Sequence, residues 1–177
     1  MAARKLRESD LAPIEPGPRA AGIFAANQRM NQLLLEQIAP DVWIAKPHGN
    51  VRNIAAIFSH IQNARTKWIR LTAPHIKTPR QVSRGECSQQ DVTRALAESA
   101  ARCETMLIEA LGADGRIKEF RRDGWARPMP VGPEMLCYMI AHEAHHRGQV
   151  CMIAHQLGFP LPGKVTSAMW NWEKLLK

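Results

Sequence analysis

The chain has 177 residues, 45% of them hydrophobic, which suits one folded domain with a sizeable core. The 24 basic residues exceed the 16 acidic ones and give a formal charge of +8. They form no stripe interleaved with aromatic residues, so nucleic-acid binding is disfavoured, and no apolar stretch reaches the roughly 20 residues of a membrane-spanning helix.

The N-terminal segment, residues 1–16, is predicted to be a flexible tail. It contains Arg4, Lys5 and Arg7 without a following apolar run, so we expect no secretory signal. The four cysteines show no CxxC spacing, and we therefore expect reduced thiols in a cytoplasmic protein.

Proline, glycine and capping residues divide the rest of the chain into four long segments with helical periodicity. In chain order they extend from Gly17 to Pro40, from Asn50 to Pro74, from Ser88 to Gly112 and from Gly132 to Gly158. Asn50 is a suitable N-cap for the second segment. Ser88 and Asp91 have the capping-box spacing at the start of the third.

Each of these segments must bury its apolar stripe against the others. The sequence therefore predicts a single all-α domain over residues 17–177, folded as an up-down four-helix bundle. A short C-terminal helix from Thr166 to Leu176 is expected after the bundle. Only Arg116 to Phe120 has the pattern of a strand, and it is short and edge-like.

The fourth segment carries two histidines on one helical face. His142 and His146 are separated by one turn, about 40° apart around the helix axis, among the apolar residues of that face. Two inward imidazoles each need a polar partner, and one metal ion can serve both. The alternative is a pair of core histidines with ordinary hydrogen bonds.

His60 lies on an apolar face of the second segment, together with Ile57 and Ala64. In a helical bundle, a ligand from this helix and the pair from the fourth can meet in the core. Three neutral imidazoles with an open position are typical of a catalytic rather than a structural metal site. The sequence thus predicts that one divalent metal ion binds to His60, His142 and His146.

Other polar residues near this face have different expected roles. His145 lies about 60° from His142. It is expected to flank the site or to contact a metal ligand without binding the metal itself. Gln149, at about −20° on the same helical wheel, could line the pocket, whereas Arg147, near 140°, is expected in an interface or a salt bridge. The remaining histidines are expected to be partly or fully solvated: His48, His75 and His155.

The five residues from His142 to His146 also satisfy the HExxH pattern of zinc peptidases. In that alternative Glu143 would act as the general base. The metzincin extension is missing, because Gln149 and Met152 stand at the required glycine and histidine positions. A downstream acidic ligand would have to be Glu173, so a peptidase is disfavoured.

The stretch His142-x-x-x-His146-Arg147-Gly148-Gln149 resembles the DinB/YfiT-like family of metal-binding four-helix bundles. The segment from Asn53 to Ile61, which contains His60, resembles the family's second helix, which supplies the first histidine ligand. Element order and spacing match from Arg19 to Pro160. The resemblance implies that the three histidines bind zinc or nickel, or else iron or manganese, and that the protein forms a homodimer.

Some members of this family use a low-molecular-weight thiol for transfer or isomerisation, although this chain has no recognisable thiol-binding pattern. The leading hypothesis is a metal-dependent enzyme, a hydrolase or a thiol-dependent transferase, that acts on a small molecule. Glu143 and Gln149 are its candidate catalytic residues, and the excess positive charge would attract an anionic substrate or thiol. The alternatives are a non-catalytic metal-bound stress or scaffold protein and a bundle without metal.

Overall fold

The computed structural model describes residues 14–113 and 115–177. Most of the expected tail, residues 1–13, lies outside the described residues, so the flexible tail stays a prediction. Within the described ranges the chain forms seven helices and one small sheet. In chain order they are α1 (Pro16–Leu35), α2 (Pro40–Trp43), α3 (Ile54–Thr72), α4 (Gln89–Leu111), β1 (Glu119–Phe120), β2 (Met129–Pro130), α5 (Pro133–Gln156), α6 (Gly163–Ala168) and α7 (Trp172–Leu175).

Capping residues determine where two of the long helices begin. The side chain of Ser88 accepts a hydrogen bond from the backbone N–H of Asp91 at 3.0 Å, as the capping-box spacing predicted. Helix α3 begins after Asn53, whose side chain accepts from the backbone N–H of Ala56 at 2.8 Å. The prediction of Asn50 as its cap is wrong, because a cap must stand directly before the first helical turn.

The four long helices pack as a bundle, in an order that differs from their order along the chain. Helix α1 packs mainly against α4 and α5, and α3 packs mainly against the same two helices. At the start of α1, a Cβ atom on Gly17 would lie 2.8 Å from the carbonyl oxygen of Ile108. Glycine therefore lets α1 and α4 approach closely there. The predicted all-α bundle is confirmed.

The core consists mainly of two large apolar clusters that follow one another along the long helices. Representative members are Phe24, Trp68 and Met139 in the first cluster and Leu34, Phe58 and Ile153 in the second. Between the two clusters, the long helices carry buried polar residues. These include Asn27 on α1, Arg65 on α3, Ser99 on α4 and Glu143 on α5. The middle of the bundle is therefore a buried polar layer.

The connection before α5 contains a small antiparallel hairpin. Strand β1 covers only the last two residues of the predicted strand, and it pairs with β2 so that Phe120 lies opposite Met129. The second strand was not predicted, because two residues that include a proline show no alternating pattern.

The C-terminal region forms two short helices, α6 and α7, where a single one was predicted from Thr166 to Leu176. The side chain of Asn171 accepts a hydrogen bond from the backbone N–H of Lys174 at 3.2 Å. Because this bond caps a new helix, it separates α7 from α6. None of the described helices has both the length and the apolar character needed to cross a membrane.

Candidate metal centre

Three histidines from two neighbouring helices meet at the level of the polar layer. His60 lies on α3, His142 and His146 lie on α5, and these two helices pack together. One ring nitrogen from each histidine lies within 4.8 Å of those of the other two. The ring centroids are 5.3 Å apart for His60 and His142 and 4.6 Å apart for the other two pairs. We call these residues the histidine cluster; its size would allow it to hold a metal ion.

Burial keeps the histidine cluster neutral near neutral pH. Loss of solvation lowers the pKa of His60 to about 4, and the two neighbouring imidazoles contribute to the same shift. Burial likewise lowers the pKa of His142 to about 4 and lowers the pKa of His146. A metal ion binds the neutral form of imidazole. At neutral pH the cluster can therefore bind a metal ion without first losing a proton.

Gln149 connects one member of the cluster to a fourth histidine. Its Oε1 lies 2.8 Å from Nδ1 of His146, and its Nε2 lies 3.0 Å from Nε2 of His145. An amide oxygen only accepts hydrogen bonds, so Nδ1 of His146 carries the proton and Nε2 presents its lone pair. Gln149 therefore orients a candidate ligand, a role that the sequence analysis did not assign to it.

His142 has a buried nitrogen that is not satisfied. Its Nδ1 has no hydrogen-bond partner among the described residues, which is a costly arrangement for a buried polar atom. A metal ion or a water molecule at this nitrogen would remove the cost. The cluster offers nitrogen donors only, a set that suits zinc or nickel. The residues present therefore fit a divalent ion.

Two members of the histidine cluster line a cavity of about 360 Å³. Its wall includes His60, His142, Trp68, Lys67, Arg84 and Arg122. A larger cavity of about 580 Å³ lies between α1 and the C-terminal helices α6 and α7. No cluster of metal-ligating side chains among the described residues borders that larger cavity. The smaller cavity is therefore the candidate substrate pocket.

A family model described as the DinB family matches residues 21–172, a range that includes all three members of the histidine cluster. The chain belongs to the DinB family. A search of curated proteins gives no significant match. The family resemblance inferred from the motifs around His60 and His142 is thus confirmed.

In this DinB-family protein, Glu143 lies in the buried polar layer and not in the wall of the cavity. Arg65 donates from Nε to Oε1 at 2.6 Å and from Nη2 to Oε2 at 2.7 Å. Asn27 and Asn31 also donate to Oε2, at 2.6 Å and 2.8 Å. Burial alone would raise the pKa of Glu143, but the charge and hydrogen bonds of Arg65 outweigh it and hold the pKa below its usual range.

These contacts correct the interpretation of Glu143 as a general base. A carboxylate with both oxygens engaged and a lowered pKa accepts a proton poorly. They also argue against the zinc-peptidase alternative, which needs Glu143 in that role. Its other requirement, Glu173 as a ligand, fails as well, because that side chain is exposed on α7 and is not part of the cluster. The third histidine comes from α3, upstream of the pair.

Arg147 belongs to the same polar layer. Its Nη1 donates to Oδ1 of Asn27 at 2.7 Å and to Oδ1 of Asn31 at 3.1 Å. The expectation of an interface or a salt bridge is corrected, because the side chain is buried against α1 and donates to asparagine oxygens there. We call the following residues the buried polar network: Asn27, Gln28, Asn31, Arg65, Ser99, Glu143 and Arg147.

The sequence analysis missed this network, although α1 carries a signal for it. Asn27, Gln28 and Asn31 interrupt the apolar stripe of α1 at helical spacing. Polar residues at such positions need buried partners. Nothing in the spacing alone could identify those partners on α3 and α5.

Three of the remaining histidines lie apart from the cluster and are exposed, as expected: His48, His75 and His155. The fourth, His145, is exposed as well, but its ring centroid lies 5.1 Å from that of His146. His75 pairs with Glu109 through Nε2. Only His145 is connected to the cluster, through Gln149, which agrees with the expectation that it flanks the site without binding the metal itself.

Proposed function

We propose that the protein is a metal-dependent enzyme that holds one divalent ion with His60, His142 and His146. The observation that carries the proposal is the meeting of three neutral imidazoles, two of which line a cavity. Imidazole nitrogens favour zinc or nickel, with iron or manganese as the other choices. Three protein ligands leave a position open for a substrate, as in catalytic zinc sites.

When bound, a divalent ion supplies Lewis acidity, which polarises a substrate oxygen or lowers the pKa of a water or a thiol. This chemistry suits a hydrolase or a transferase that uses a low-molecular-weight thiol. The chain's own residues orient the ligands. Gln149 holds His146, and Trp68 packs against His142 with ring centroids 5.1 Å apart.

A non-catalytic metal-bound stress or scaffold protein is the second candidate, and one observation favours it. Glu143 is engaged in the buried polar network, and Asp123 in the cavity wall is paired with Lys67. The cavity wall therefore offers no free carboxylate as a general base among the described residues. Azide added to the cobalt-loaded protein separates the two candidates. A change in the cobalt spectrum is expected at an open catalytic position, whereas a site closed by a fourth protein ligand would not respond.

Elemental mass spectrometry of the freshly purified protein tests metal binding. Near one equivalent of metal is expected in the parent, and its loss is expected in both His60→Ala and His146→Ala. His155→Ala is the matched control, because His155 is an exposed histidine on the same helix as His146. A parent that takes up no zinc, nickel or manganese would overturn the proposed site.

A homodimer and a cytoplasmic location are also part of the proposal. The family resemblance supports the dimer, and the free thiols of Cys87 and Cys103 suit a reducing compartment. Light scattering during gel filtration should give twice the mass of the 19.9 kDa chain. A monomeric mass at micromolar concentration would contradict the dimer.

A further inference from the structure

The cavity beside the histidine cluster carries an unusual set of charges. Three cationic side chains line it, Lys67, Arg84 and Arg122, and one acidic side chain does so, Asp123. Asp123 already forms an ion pair, because its Oδ2 lies 2.6 Å from Nζ of Lys67. The lysine and the aspartate therefore cancel one another, and the two arginines remain.

Neither arginine forms an ion pair with an acidic side chain among the described residues. Arg84 lies on the connection between α3 and α4, and Arg122 lies in the loop between β1 and β2. Both side chains are exposed, and both border the cavity that His60 and His142 line. Two guanidinium groups from different loops thus face one cavity without a counter-charge.

Arg122 is held by an aromatic contact that leaves its donors free. Its guanidinium carbon lies 5.5 Å from the ring centroid of Trp125, in the same loop. Stacking uses the face of the guanidinium group, so its N–H edge can still donate to an anion. The arginine is therefore positioned in advance for binding.

The charges of these arginines contribute to the lowered pKa values of the histidines. Burial is the main reason for the low pKa of His60 and His142, and Arg84 adds to the effect on His60 while Arg122 adds to the effect on His142. Arg52, just before α3, acts on His60 in the same direction. A divalent ion held by three neutral imidazoles would keep its full double charge and add to this field.

We propose that this cavity binds a small molecule with an anionic oxygen group, a carboxylate or a phosphate, which Arg84 and Arg122 hold beside the histidine cluster. The cavity volume lies within the range of small-molecule sites. The placement of the substrate's reacting end at the metal rests on the proposed function. The anion site itself does not, because it consists of the two arginines.

The test compares ligands that differ only in the charge of one end. Cobalt-loaded protein is titrated with ω-mercaptocarboxylates of increasing length and with their methyl esters, and the sulfur-to-cobalt charge-transfer band reports binding. At the best length the acid should bind about tenfold more tightly than its ester, the scale of one charged hydrogen bond. The Arg84→Gln/Arg122→Gln variant should lose this preference, whereas Arg19→Gln, an exposed arginine on α1, should keep it.

The same acids and esters are titrated into metal-free protein, with tryptophan fluorescence as the readout. This arm separates the two proposals: a protein that binds no cobalt refutes the metal site, while the fluorescence still tests the arginines. Competition by acetate against inorganic phosphate at equal ionic strength identifies the preferred anion. Equal affinity of acid and ester in both forms of the parent would overturn the anion site, and so would a preference that survives in the double variant.

Discussion

Two polar regions lie in the middle of the bundle, and they differ in how their atoms are satisfied. In the buried polar network, Arg65 and Glu143 are fully buried and bonded to each other, and each oxygen of Glu143 accepts a hydrogen bond. In the histidine cluster, His146 is bonded only to Gln149, and Nδ1 of His142 has no partner among the described residues. The buried ion pair of the network has its partners, although Nε2 of Gln28 beside it has none among the described residues. The histidine cluster, in contrast, still has nitrogen atoms that a ligand can bind.

This difference separates a structural from a functional use of buried polar groups. The two regions share α5, where His142 precedes Glu143 and His146 precedes Arg147. Glu143 and Arg147 form hydrogen bonds with asparagines of α1. These bonds fix the orientation of α5 about its own axis. That orientation brings the two histidines to His60 on α3. We therefore expect the network to govern folding and the cluster to govern binding.

The largest effect is expected when the network loses its carboxylate. Glu143→Ala leaves Arg65 buried without its counter-charge, and the free energy of unfolding should fall by about 3–5 kcal/mol. Urea denaturation measures the change. Glu134→Gln, an exposed glutamate on the same helix, is the control and should leave the unfolding midpoint almost unchanged. Equal losses in the two variants would break the distinction between the regions.

A metal ion should stabilise the protein through the cluster alone. Zinc at 100 times its dissociation constant should raise the free energy of unfolding by about 2.7 kcal/mol, and a chelator should reverse the rise. Thermal melting measures it. His146→Ala should not respond, whereas His155→Ala should respond like the parent. If His146→Ala is stabilised as much as the parent, the metal binds elsewhere.

Substitution of Gln149 tests whether a residue outside the histidine cluster orients its ligands. Gln149→Leu removes the acceptor of the His146 Nδ1–H bond, and metal affinity should fall about 10- to 100-fold. The stability of the metal-free protein should change much less. Gln149→Glu retains an acceptor oxygen and should recover most of the affinity, measured by competition with a metallochromic chelator. A failure of the glutamate to recover it would argue against an orienting role.

The smallest effect is expected from pH, because the histidines are only partly buried and solvent screens their charges. The pKa of His60 and of His142 is about 4 in the folded protein and about 6.5 in an unfolded chain. Between these values the unfolded state binds more protons, so the metal-free protein should lose stability as the pH falls from 6.5 to 4. The His60→Ala/His142→Ala variant should show a shallower loss than His155→Ala. Identical pH profiles would contradict the low pKa values.

The sequence could predict those parts of the site that depend on local geometry. The pair His142 and His146 faces one side because four residues rotate the helix by slightly more than one full turn, and the cap at Ser88 depends on residues three apart. The cap at Asn53 was misplaced by three residues, since several polar residues precede α3 and the spacing does not choose among them. The role of Glu143 was also misjudged, because a position at the edge of a helical stripe can face either neighbouring helix.

By itself, then, the sequence determined the all-α class, the four long helices and the three histidines of the cluster. Only the tertiary structure decided that Glu143 pairs with Arg65 across 78 residues of chain and that Gln149 rather than Glu143 serves the cluster. It also decided which of the basic side chains, which are spread along the sequence, line the cavity. The physical reason is that periodicity in the sequence determines each helix separately. Hydrogen bonds and charges act between helices and loops, and the sequence does not show which of these elements are neighbours in space.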